Sequence, residues 1–132
     1  MKAIIDTNVV LDVLCDRDEF SHDSMAVLSM CAKRDMEGII TTNSVTDIFY
    51  LTAKRLGRAR ARSAIKDLLS IVRMVSLDPV DIERAFVSEF EDLEDAVLVA
   101  VCLRVRADYL ITRDEELINR LPYAISPAAF LI

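Results

Sequence analysis

The sequence predicts a three-layer α/β domain, with a central, mainly parallel sheet of four to five strands between helices. Three observations point to it. Short apolar runs of strand length (Ala3-Ile4-Ile5, Ile39-Ile40, Tyr109-Leu110-Ile111) alternate along the chain with longer stretches of helical spacing. Strands alternating with helices make a parallel sheet covered on both faces, and such doubly buried strands read as continuous apolar runs. Acids recur where the apolar runs turn into helices, at Asp6, Asp47, Asp95 and Asp114. In a parallel sheet those positions can share one edge.

The elements follow in order. Lys2 to Asp6 is too short and too apolar for a helix and reads as the first strand. Asp6-Thr7-Asn8 supplies capping side chains for a helix whose face is Val9, Val10, Val13 and Leu14. A second helix is expected from Ser21, with Met25, Leu28 and Ala32 at helical spacing. Glu37-Gly38 turns the chain into a second strand, Ile39 to Thr42. Asn43 or Ser44 then caps a helix ending near Gly57, and Ala59 to Ile71 continues as another. Val72 to Leu77 reads as a third strand, closed by Asp78-Pro79, a helix start for a segment through Phe90. Leu93 to Arg106 is apolar all round in its middle and is expected inside the core. Tyr109 to Thr112 is a fourth strand, Glu115 to Asn119 a short helix, and Tyr123 to Ser126 a candidate fifth strand.

At 132 residues the chain is expected to form one domain, 1–132, with 53% apolar residues and only two glycines. No apolar stretch approaches the roughly 20 residues that span a bilayer; the longest runs from Ala96 to Leu103. The opening residues read as a strand rather than a signal peptide, so a cytoplasmic protein with no membrane role is expected. Cys15, Cys31 and Cys102 are odd in number and lack metal-ligand spacing, which makes them free buried thiols. His22, the only histidine, is read as exposed; a Ser-His-Asp triad and a His-rich zinc site are thereby set aside.

Net charge is −6, unusual for a protein that handles nucleic acid, but the distribution is uneven. Lys54, Arg55, Arg58, Arg60, Arg62 and Lys66 fall in a stretch with no acid, whereas Asp78 to Asp95 carries eight acids against Arg84 alone. The basic run fits either a phosphate grip or a solvated helix face.

The four recurrent acids, Asp6, Asp47, Asp95 and Asp114, carry the chemistry. Each alone reads as a helix cap or a charge favoured by a helix N-terminus. Gathered at one edge they repel, unless a cation neutralises them. Oxygen-only donors suit Mg²⁺ or Mn²⁺, which takes one or two direct carboxylates and keeps waters. Such an ion supports in-line attack of water on a phosphodiester. Asp92, three residues before Asp95, shares its helix face and is either a further ligand or an outer group.

These residues resemble the PIN domain family, and within it the VapC-type toxin ribonucleases. The resemblance lies in Ile4-Ile5-Asp6-Thr7-Asn8, in Asp92-Leu93-Glu94-Asp95-Ala96 and in Leu110-Ile111-Thr112-Arg113-Asp114, and it extends over nearly the whole chain. It implies a Rossmann-like PIN fold, Mg²⁺- or Mn²⁺-dependent cleavage of RNA, frequent homodimers and, among toxins, a cognate antitoxin. It matches Asp6, Asp95 and Asp114 to the family's metal-binding acids, and Asn8 and Thr112 to the residues orienting them. The family's second acid is usually Glu; here Asp47 stands at that position, one methylene shorter. The same likeness makes Arg55 and Arg58 of the basic run, and Arg113 beside Asp114, candidate phosphate contacts. The competing reading is a PIN-fold module that binds RNA or protein without cutting. A phosphatase or receiver domain of similar architecture is disfavoured, because the acid and lysine each requires are missing at the matching positions.

Overall fold

The computed structural model describes residues 1–132. Five strands form one sheet in the order β3-β2-β1-β4-β5, every pairing parallel. They are β1 (Lys2–Ile5), β2 (Glu37–Thr41), β3 (Arg73–Val75), β4 (Tyr109–Ile111) and β5 (Ala124–Ile125). Eight helices connect and cover them: α1 (Thr7–Leu14), α2 (Ser21–Ala32), α3 (Thr42–Leu56), α4 (Arg58–Leu69), α5 (Pro79–Phe86), α6 (Leu93–Val105), α7 (Glu115–Arg120) and α8 (Pro127–Phe130).

Period-two alternation along the strands divides the interior into two cores. Ala3 and Ile5, Ile40 and Ile111 face one side, where Val9, Val27 and Ile65 bring in α1, α2 and α4. Ile4, Ile39 and Leu110 face the other, against Val101 of α6 and Leu117 of α7. The sheet is therefore the middle of three layers, as expected. Burying an Ile or Leu completely is worth about 1.5–3 kcal/mol, and Ile4, Ile39, Leu110 and Ile111 are all at most 1% exposed. The middle strands are thus pinned in register from both faces.

Gly38 marks the tightest approach between layers, because a Cβ there would lie 2.5 Å from Cys31 Sγ on α2. All three cysteines are free and buried. Burial pushes the Cys31 and Cys102 thiols up to about 11 and about 12. His22 is exposed. No helix is long and apolar enough to cross a membrane.

Differences from the sequence expectation lie at element ends and in the shortest pieces. Helix α3 begins at Thr42, so Thr41 rather than Asn43 or Ser44 holds the N-cap position, without a capping bond from its side chain; Ser44 Oγ donates back to the Thr41 carbonyl at 2.8 Å. Helix α5 stops at Phe86 rather than Phe90, and β3 is three residues long. Helix α8 was not expected. Ser126 caps it by accepting from Ala129 N, and Pro127 occupies its first turn.

Candidate active site

Strand order reverses at β1, with β2 and β3 on one side and β4 and β5 on the other. The crevice at the carboxyl ends of β1 and β4 is the switch point where doubly wound sheets bind ligands. Asp6 follows β1 directly, and Asp114 follows β4 by three residues, capping α7. Asp92 caps α6 and Asp95 lies in its first turn.

The strand ends are tied together around Asp6. Asp6 Oδ2 accepts from Thr112 Oγ1 at 2.7 Å and from Asn8 Nδ2 at 3.3 Å, while Oδ1 accepts from Thr7 N at 2.8 Å. Thr112 Oγ1 in turn accepts from Asp114 N at 3.0 Å, and Asn8 Oδ1 from Arg113 N at 3.2 Å. Asn8 and Thr112 therefore fix the Asp6 carboxylate and link the turn after β1 to the turn after β4. Asp114 Oδ1 is spent on Glu116 N and Leu117 N, and Asp92 Oδ1 on Asp95 N. In both caps Oδ2 has no protein partner, and neither oxygen of Asp95 has one.

The electrostatics match this crowding. Burial raises the pKa of Asp6; hydrogen bonds from Thr112 and Thr7 oppose it, and the Asp114 charge adds to it. Asp95 is pushed up to about 6, first by burial and then by the charges of Asp92, Asp114, Asp6 and Glu116. Glu94 is raised by burial and by Asp47, Asp92 and Asp6. Asp6 therefore lies in the field of acids on both sides. Sequence reasoning did not single out Glu94. Its signal was the dense Asp92-x-Glu94-Asp95 turn, in which a third acid was easily taken for solvated charge.

Asp47 is exposed on α3, makes no side-chain hydrogen bond, and reaches the group through its effect on Glu94. Arg55 and Arg58 flank Gly57 between α3 and α4, exposed and free of any carboxylate partner; Arg55 is on the order of 12 Å of helix rise beyond Asp47. Arg113 is placed differently from the expectation of a phosphate contact. Its Nε and Nη2 grip the two oxygens of buried Asp12 at 2.8 Å each, and its guanidinium stacks 3.8 Å from the Phe20 ring centroid. Asp12 also accepts from Ser24 Oγ at 2.9 Å and faces Arg17 at 3.6 Å. The Arg113 fork is thus committed to anchoring the turn that carries Asp114.

The donor set suits a hard divalent cation: oxygens only, several unpartnered, and none in an ion pair. No three acidic, cysteine or histidine side chains stand close enough to enclose an ion by themselves. An ion bound here would therefore draw most of its shell from water, as Mg²⁺ commonly does. Beside Asp6 and Glu94 a hollow of about 370 Å³ opens toward the first turn of α3.

A parallel sheet of order β3-β2-β1-β4-β5 between helices, with acids gathered at its switch point, defines a Rossmann-like α/β domain. Comparison narrows the class: the PIN domain model matches residues 2–116, and the chain belongs to the PIN domain family. Ribonuclease VapC1 of Aquifex aeolicus (strain VF5) is 19% identical over 120 residues, covering 87% of this chain and 83% of that protein. Among solved structures, a toxin–antitoxin complex from Klebsiella pneumoniae aligns with TM-score 0.71 at 21% identity, over 95% of this chain and 97% of that one. VapBC2 from Rickettsia felis, bound to a promoter DNA fragment, gives 0.69 at 14% identity over 96% and 97%. The sarcin-ricin-loop-cleaving toxin VapC20 of Mycobacterium tuberculosis gives 0.70 at 15% identity over 89% and 93%. At these identities the structural likeness speaks for the fold.

Proposed function

We propose that this protein is a Mg²⁺- or Mn²⁺-dependent endoribonuclease of the VapC kind, the toxin of a toxin–antitoxin pair. The observation that carries the reading is the set of carboxylates at the β1/β4 switch point, none of them in an ion pair with a basic side chain. Asp6, Asp95 and Asp114 would hold the ion, with Asp92 beside them. Bound there, the ion supplies Lewis acidity toward water and toward the phosphoryl oxygens. Asn8 and Thr112 hold the Asp6 carboxylate in one orientation. Asp47, too exposed to pack against the others, acts through water. Arg55 and Arg58 are the phosphate contacts, since no carboxylate occupies them. A covalent route has no candidate: the thiols are buried, two of them with strongly raised pKa, and the lone histidine is exposed.

An antitoxin partner is supported by the Klebsiella and Rickettsia neighbours, both of which are toxin–antitoxin proteins. Self-association as a homodimer is supported by the exposed Ile82, Phe86, Val87 and Leu103 on the α5–α6 layer. Three free thiols agree with a reducing cytoplasm.

A second reading is a PIN-fold module that binds RNA or protein without cleavage. Asp47 favours it, standing exposed where the family usually has Glu. Cleavage of a mixed single-stranded RNA panel in Mg²⁺, Mn²⁺ or EDTA, wild type beside Asp6→Asn, separates the two. Cutting that needs both metal and Asp6 is expected. Folded, antitoxin-free protein that leaves every RNA intact would establish the binding module instead.

A further inference from the structure

The hollow beside the acids has features that the metal chemistry does not use. Its floor is apolar and buried, formed by Ile4, Ile5 and Val97, with half-buried Leu98 alongside. Its rim is exposed and carries Asn43, Leu93 and Glu94. The Asn43 side-chain amide makes no hydrogen bond within the protein; only its backbone carbonyl is engaged, by Thr46 Oγ1 at 3.4 Å. Two donors and an acceptor are therefore free at the mouth of an apolar slot.

Charge and size narrow what can enter. Asp6 and Glu94 border the hollow, so a phosphate or carboxylate is repelled from its interior. A cation would not choose the apolar floor. A volume of about 370 Å³ is at the small end for ligand sites, roughly 300–1,000 Å³. A neutral flat heterocycle with apolar faces and a polar edge meets all three conditions. Proteins read single-stranded RNA by splaying out such bases, burying their faces and hydrogen-bonding their edges.

We propose that this hollow receives one unpaired nucleobase of the RNA, next to the phosphate held over Asp6, and that Asn43 reads its edge. The inference rests on the ribonuclease reading and deepens it, making base identity at one position a determinant of where cutting occurs. The faces are gripped by aliphatic side chains rather than aromatic ones, so affinity comes from burial more than from stacking.

Equilibrium binding of a single-stranded 12-mer tests this, in parallel with the same RNA carrying an abasic nucleotide at each position in turn. Ca²⁺ is present throughout, since it takes the same hard oxygen donors. One abasic position is expected to weaken binding by on the order of tenfold or more. Leu98→Phe, which fills the hollow, is expected to lower affinity for intact RNA similarly and to erase the penalty of the abasic position. Asn43→Ala, at an exposed site that leaves packing untouched, is expected to flatten the preference among bases there. Equal affinity for every abasic RNA, or unchanged base discrimination in Asn43→Ala, overturns the pocket. Cleavage of the intact 12-mer in Mn²⁺ is followed alongside. Cutting without abasic sensitivity removes the pocket and leaves the nuclease; abasic sensitivity without cutting supports the pocket and removes the nuclease.

Discussion

Asp6 caps the short helix α1 and Asp12 lies within it, and the two meet opposite surroundings. Asp12 is fully buried and surrounded by donors: both arms of Arg113, the Ser24 hydroxyl and Arg17. Asp6 receives hydrogen bonds only from neutral donors and makes no ion pair; the Asp114 charge and the more distant Arg113 act on it in opposite senses. The fold solves the same problem again at Asp81, fully buried and held by Arg104 Nε and Nη2 at 2.9–3.1 Å. A chain that neutralises its buried acids twice has left those at the β1/β4 edge open.

The sharpest way to break the contrast is to remove each acid in turn. Asp12→Ala strands the Arg113 guanidinium and the Ser24 hydroxyl, and breaking such a buried pair costs about 3–5 kcal/mol. A clearly lower urea midpoint is expected, whereas Asp6→Asn in metal-free buffer should hold or raise it. An equal loss for both would abolish the distinction.

Next in size is the cation. Mn²⁺ at a hundred times its dissociation constant should stabilise the wild type by about 2.7 kcal/mol through mass action alone. Thermal melts should show that gain shrinking in Asp95→Asn and persisting in Arg55→Ala. A metal response independent of Asp95 would move the ion elsewhere.

The supporting hydrogen bonds come third. Thr112→Val keeps the shape at a fully buried position and removes the 2.7 Å donor to Asp6. Outer groups of this kind are typically worth about 10- to 100-fold in metal affinity or activity. Titration calorimetry with Mn²⁺ would read the loss directly, and an unchanged affinity would reduce Thr112 to packing.

The smallest effect is with pH. Asp95 titrates near 6 in the folded protein, against an ordinary value of 3.8. Protonation is favoured in the folded state, so the stabilising contribution is complete below the ordinary value and is lost as pH rises through about 6. Metal-free wild type should therefore lose stability from pH 5 to pH 7 relative to Asp95→Asn, and Mn²⁺ should level the difference. Asp81, whose pKa is lowered below 3.8, loses its contribution only at more acidic pH. Parallel stability curves for the two proteins would show that Asp95 feels no crowding.

The contrast also explains what the sequence made legible. The strands β1, β2 and β4 and the positions of Asp6, Asp95 and Asp114 were readable because each is a local pattern: a carboxylate at a helix start, just after an apolar run for Asp6 and Asp114 and at the head of one for Asp95. Asp12 was not, since a single acid among Val9, Val10, Val13 and Leu14 gives no hint of Arg113, its partner 101 residues away. The partner of Arg113 was hidden for the same reason. Next to Asp114 it looked like a free cation, and only the packing of α1 and α2 beneath it shows where the fork is spent. Helix α8 carried its Ser126-Pro127 start signal, but four residues are too few to show a period. Glu94 was hidden by its neighbours: three acids in one turn do not say which of them faces the hollow.

The pairing of β1 with β4 has a temporal side. Ile5 lies beside Ile111 in the sheet, and the carboxylates assemble only when those two distant segments meet. A ribosome must have translated the chain past Thr112 before that residue can reach Asp6, 106 residues earlier. Whatever the acidic edge does, a nascent or truncated chain cannot do it. The closing of one parallel ladder thus sets the moment at which the acidic edge first exists as a unit.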